Sequence, residues 1–157
     1  MLLYLTNLNG AQRQPLKPAP EGQPMPSFNL LMTDGVTRIS TGAIPPGRPV
    51  VLVLFSPECL YCRTEIDSII GQMLTLADIR FFFVTPCPIA DVREFSLEYR
   101  LDKYPNVVVG MDYDNFLLRF SGTKIIPYTA IYDEDLRLRE AMFGRATDRK
   151  IKEVLFR

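Results

Sequence analysis

The chain reads as an α/β domain built on a mixed β-sheet with helices on both faces, and three observations predict it. Two apolar runs, the continuous 50–55 (VVLVLF) and 79–84 (IRFFFV, interrupted by Arg80), have the length and the β-branched and aromatic content of buried strands. A stretch of helical period follows each of them. Near the C-terminus "YTAIYD" and "LRLREAMF" flank Asp133-Glu134-Asp135, the pattern of an antiparallel hairpin.

Size and composition bound what such a domain does. At 157 residues, 47% apolar and 11% aromatic, the chain is long enough for one domain with a real core, and no apolar run reaches the roughly 20 residues of a membrane-spanning helix. Eighteen basic residues balance eighteen acidic ones, so nothing selects a nucleic acid as partner. The absence of histidine removes Ser-His-Asp and Cys-His catalysis and most zinc and copper chemistry.

Taken in order, the elements are these. Five of the thirteen prolines lie between Pro15 and Pro26, where missing N–H groups and fixed φ favour an extended tether, so residues 1–22 read as an arm or linker and 23–157 as the domain. The opening "MLLYLTNLNG" lacks the basic start and cleavage pattern of a secretory signal and is compatible with the stump of a trimmed signal or anchor. Asp34-Gly35 predicts the positive φ of a tight turn in an N-terminal hairpin. The run 50–55 should form the middle of the sheet. From Cys59, apolar positions at Cys62, Ile66, Ile69, Ile70, Met73 and Leu76 or Ala77 predict a helix that Gly71 weakens without ending. Asp91 and Glu94 form a capping-box pattern before a helix through Val92, Phe95 and Tyr99. "NVVVG" reads as a strand, "DNFLLRFSG" as a short helix stopped by Gly122, and Thr147 as the cap of a last helix burying Ile151, Val154 and Leu155.

The chemistry concentrates in "FSPECLYCRTEI". A cysteine entering a helix sees unpaired N–H groups and the positive end of the macrodipole, which favour thiolate, so Cys59 is the candidate nucleophile. Arg63 adds to that effect and Glu58 opposes it. Cys62, nearly one turn inward, can resolve a mixed disulfide on Cys59, while Leu60 and Tyr61 face the mouth of the site. A pair of inert buried thiols and half of a zinc site are the alternatives. With only Cys87 remaining and no histidine, four zinc ligands are not to be found, so no metal is expected.

Three motifs carry a resemblance. "GQPMPSFNL", "GRPVVLVLFSPECLYCRTE" and "IIPYTAIYDED" resemble, in turn, the opening, the active-site strand with its C-x-x-C-x-x-E helix start, and the cis-proline strand of the thioredoxin superfamily, in particular its TlpA/ResA-like thiol:disulfide oxidoreductases of the AhpC/TSA or redoxin type. The resemblance covers Gly22 to the C-terminus. It implies a thioredoxin-like fold with an added N-terminal β-hairpin, Pro127 as a cis-proline facing the cysteines, and an Ile126 backbone that pairs with an extended client segment. It also implies client proteins with disulfides or thiols, a thiol electron donor, membrane-bound in such relatives, no cofactor beyond the redox disulfide, and a periplasmic or otherwise extracytoplasmic setting, with a cytoplasmic one as the alternative.

Two departures stand out. No tryptophan precedes the first cysteine, and the buried acid of thioredoxins falls at Val53, leaving Glu65 or water to move protons at Cys62. Cys87 closes the second buried run near the same sheet edge and is either an auxiliary redox thiol or a spare one. Competing functions are a peroxiredoxin-like peroxidase, for which Ser56 supplies half a motif, and a non-catalytic peptide-binding module.

Overall fold

The computed structural model describes residues 19–157, so the expected arm is covered only from Ala19, and residues 1–18 lie outside the described part. Seven strands form one sheet: β1 (Asn29–Leu31), β2 (Arg38–Ser40), β3 (Val50–Leu54), β4 (Arg80–Thr85), β5 (Val107–Met111), β6 (Tyr128–Tyr132) and β7 (Leu138–Phe143). Their spatial order is β2-β1-β5-β4-β3-β6-β7. β3, β4 and β5 run parallel; β1 and β6 attach to this centre antiparallel, and β2 and β7 pair antiparallel with β1 and β6 in turn. The middle strand is therefore β4, with β3 beside it, which corrects the expectation for residues 50–55. Both are buried along nearly their whole length, as continuous apolar runs require.

Four helices complete the fold: α1 (Leu60–Gly71), α2 (Ile89–Glu98), α3 (Phe116–Ser121) and α4 (Asp148–Leu155). α1, α2 and α4 cover one face through Cys62, Ile66, Ile69, Val92, Phe95, Ile151 and Val154. On the other face α3 contributes Leu117, beside Phe28 and Leu30. Thr147 caps α4 by accepting the Lys150 N–H at 3.1 Å.

Local expectations differ from the structure in three places. α1 ends at Gly71, and Met73–Thr75 continues as a separate 3-10 turn that still buries Met73. The capping box at Asp91 and Glu94 does not form: α2 starts three residues earlier, with Pro88 rather than Asp91 as its N-cap, so Asp91 falls inside the first turn, where its charge still suits the dipole. Tyr99 caps the end of α2 rather than belonging to it. In the N-terminal hairpin only Gly35 takes a positive φ (75°), while the Asp34 carboxylate accepts the N–H groups of Val36 and Thr37, closing a turn longer than two residues. Within the expected arm, the Gly22 N–H donates to the Leu138 carbonyl of β7 at 2.7 Å.

Candidate active site

The loop from Phe55 to Cys59 leaves the C-terminal end of β3 and delivers the chain to α1. Its turn is closed by the Cys59 N–H donating to the Ser56 carbonyl at 3.0 Å. Cys59 is the N-cap of α1: its backbone is extended, and its sulfur accepts the Cys62 N–H at 3.2 Å. Cys59 and Cys62 are joined as a disulfide with Cα atoms 5.2 Å apart, within the usual span of such a bridge. The two sulfurs differ in access: Cys59 is partly exposed, Cys62 is fully buried, and Leu60 and Tyr61 between them are 78% and 74% exposed. The sequence places Cys59 in the first helical turn; the structure sets it one position earlier, where a side chain can satisfy an orphan N–H.

Glu65 lies three residues beyond Cys62 on the same buried face of α1 and is itself fully buried. Oε1 accepts the Thr129 hydroxyl at 2.6 Å and Oε2 accepts the Ala146 N–H at 3.1 Å. Burial outweighs these two bonds and pushes its carboxyl up to about 7. Thr129 is the β6 residue paired with Val53 of β3. Glu65 thus sets a buried carboxyl against the Val53–Thr129 strand pair. Glu65 reads in sequence as an ordinary acid near a helix start, and nothing local marks Thr129 or the Ala146 N–H as its partners.

Arg63 points the other way. Its Nε donates to the Pro57 carbonyl at 2.5 Å, and its two terminal nitrogens grip Glu98 of α2 at 2.7 and 3.1 Å. The guanidinium also stands over the rings of Phe95 and Tyr99, 5.5 and 5.7 Å from their centroids. The hydrogen bond to Arg63 holds the Glu98 carboxyl below its ordinary value. Arg63, Glu58, Cys87 and Glu98 line an open cleft of about 330 Å³ beside the cysteines. Glu98, 35 residues from Arg63, had no signal in the sequence.

The Ile126–Pro127 peptide is cis, and Pro127 is buried directly before β6. Because Tyr128 pairs with Leu54, Pro127 falls beside Phe55, at the strand end from which the cysteine loop departs. Ile126 and Cys87 share a second pocket, of about 210 Å³, with Leu54, Phe55, Ser56, Pro86, Leu118 and Lys124. Cys87 is a partly exposed free thiol whose sulfur lies 3.8 Å from the Ser56 hydroxyl. Ser56, the half-motif for a peroxidase, therefore turns its hydroxyl to Cys87. Among the described residues no group of three or more acidic or sulfur ligands is arranged for a metal ion.

A mixed sheet in this strand order, with a C-x-x-C bridge capping α1 and a cis-proline opening β6, defines a thioredoxin-like fold carrying a dithiol–disulfide centre. The chain aligns with the structure of a thioredoxin-family thiol:disulfide interchange protein from Chlorobium tepidum at a TM-score of 0.68 and 20% identity, covering 87% of this chain and 98% of that one. StoA from Bacillus subtilis gives a TM-score of 0.61 at 17% identity, over 89% and 98%. In sequence the chain is 27% identical over 138 residues to the methylamine utilization protein MauD of Methylophilus methylotrophus, covering 86% of this chain and 60% of that protein. The chain spans little more than half the length of the curated relatives it matches. No family model matches it.

Proposed function

We propose that this protein is a thiol:disulfide oxidoreductase that works through Cys59 and Cys62. The observation that carries the reading is the unequal access of two bonded sulfurs at one helix N-terminus: Cys59 partly exposed, Cys62 fully buried. In the reducing direction the Cys59 thiolate attacks one sulfur of a client disulfide, forming a mixed disulfide and releasing the other client sulfur as a thiolate. Cys62 then attacks the Cys59 sulfur, the 59–62 bridge closes, and the client leaves with both its sulfurs reduced. Two electrons have passed to the client, and a thiol donor restores the pair.

Cys62 must lose a proton to attack, in a place water reaches poorly. Glu65, with its carboxyl near 7 and one helical step away, is the base for that proton, and it returns the proton when the pair is reduced again. Pro127 presents no N–H beside the cysteines, and the adjoining Ile126 backbone is where an extended client segment adds as a strand. Leu60 and Tyr61, exposed at the mouth, supply apolar contact with clients. The clients are proteins with disulfides or thiols, and the setting is extracytoplasmic, where such bonds persist.

The test is reduction of insulin disulfides with dithiothreitol as donor. The wild type should turn over, Cys59→Ser should not, and Cys62→Ser should accumulate a mixed disulfide on Cys59. Turnover by Cys59→Ser at the wild-type rate, or consumption of hydrogen peroxide in place of insulin reduction, overturns the reading.

A further inference from the structure

We propose that Arg63 is a positioning residue, clamped by Glu98 of α2, that holds the Pro57 carbonyl and with it the turn presenting Cys59. This rests on Cys59 being the nucleophile, but it assigns Arg63 a role different from that of a cation favouring the thiolate. One guanidinium on α1 meets four residues from a loop and from α2 with its C-cap: its Nε holds Pro57, its terminal nitrogens hold both Glu98 oxygens, and it stands over the rings of Phe95 and Tyr99.

The rings are themselves fixed. Phe95 packs on Phe55 with centroids 4.7 Å apart and on Tyr99 at 4.6 Å. Phe55 begins the very loop whose Pro57 carbonyl Arg63 takes, so the loop is held from below by the ring stack and from the side by the Nε bond. Only a planar fork meets a carbonyl and a carboxylate in fixed directions at once; an ammonium meets them as a point charge. Glu98 meanwhile neutralises most of the guanidinium's field at the sulfur, since an ion pair acts at a distance only as a dipole. An exposed ion pair of this kind adds little to stability, so its effect is expected in the placement of the sulfur rather than in folding. Released from the clamp, residues 56–59 no longer hold Cys59 where it accepts the Cys62 N–H, and its thiolate loses that donor.

The experiment measures the pH dependence of Cys59 alkylation by iodoacetamide in the reduced, full-length protein, with the thermal midpoint alongside. This readout needs no turnover, so it stands apart from the insulin assay that tests the function. The clamp predicts that Glu98→Gln and Arg63→Lys each raise the apparent pKa of Cys59 by about half a unit or more, because both break the fork. If Arg63 acted through its charge, Glu98→Gln would free that charge and lower the value, and Arg63→Lys would leave it unchanged. Either result overturns the proposal, as does a lowered thermal midpoint with the alkylation profile unmoved.

Discussion

The two faces of α1 treat their carboxylates in opposite ways. On the inner face Glu65 is fully buried, bonded to a hydroxyl and a backbone N–H, and its carboxyl rises to about 7. Against the outer face Glu98 stands in solvent, and its carboxyl drops beside Arg63. One helix thus carries a buried carboxyl three residues beyond Cys62 and an ion-paired guanidinium four residues beyond Cys59. The contrast has two causes: exclusion of water raises Glu65, and the hydrogen bond from Arg63 lowers Glu98.

The largest expected effect comes from the sulfurs themselves. Cys59→Ser should lower insulin reduction by roughly 10³-fold or more, whereas the inner-face reading leaves Cys62→Ser able to bond a client but not release it. Non-reducing gels and mass spectrometry distinguish the two. Next in size is Glu65→Gln, which should slow closure of the 59–62 bridge by about 10²-fold at pH 8, followed by rapid quench and alkylation. A wild-type closure rate that fails to rise between pH 6 and 8 would remove Glu65 from the proton path.

The same substitution has a signature in stability. A carboxyl raised from 4.5 to about 7 on folding binds its proton more tightly in the folded state, so its ionisation costs stability progressively as pH rises from 4.5 to 7. That cost reaches roughly 3 kcal/mol at most, since each tenfold change in proton affinity is worth about 1.4 kcal/mol. Urea denaturation at pH 4.5 and 8 should therefore show Glu65→Gln gaining on the wild type at the higher pH. Thr129→Val removes a bond to the ionised carboxylate and should destabilise by about 1–2 kcal/mol at pH 8 and by less at pH 5. On the outer face, Leu60→Ala and Tyr61→Ala should change stability by no more than about 0.5 kcal/mol while altering exchange rates with bulky protein disulfides.

The element order and the placing of two cysteines at a helix start were legible in the sequence because they rest on local pattern: apolar runs, a helical period, and two sulfurs three positions apart. The site's supporting contacts were not. Glu65 reaches Thr129 and Ala146 across 64 and 81 residues, and Arg63 reaches Glu98 across 35, so only the folded sheet brings them together. Helix boundaries failed for a related reason. Asp91 and Glu94 have the right spacing for a box, yet Pro88 fits the position before the first turn, and its fixed φ starts α2 there.

The sulfur proposed to exchange with clients is also the atom that caps a helix. The Cys59 sulfur accepts the Cys62 N–H even while it is bonded to the Cys62 sulfur, so opening the bridge or turning that sulfur toward another partner changes the acceptor at the first turn of α1. Amide exchange at Cys62 would follow that change at the helix start without any label.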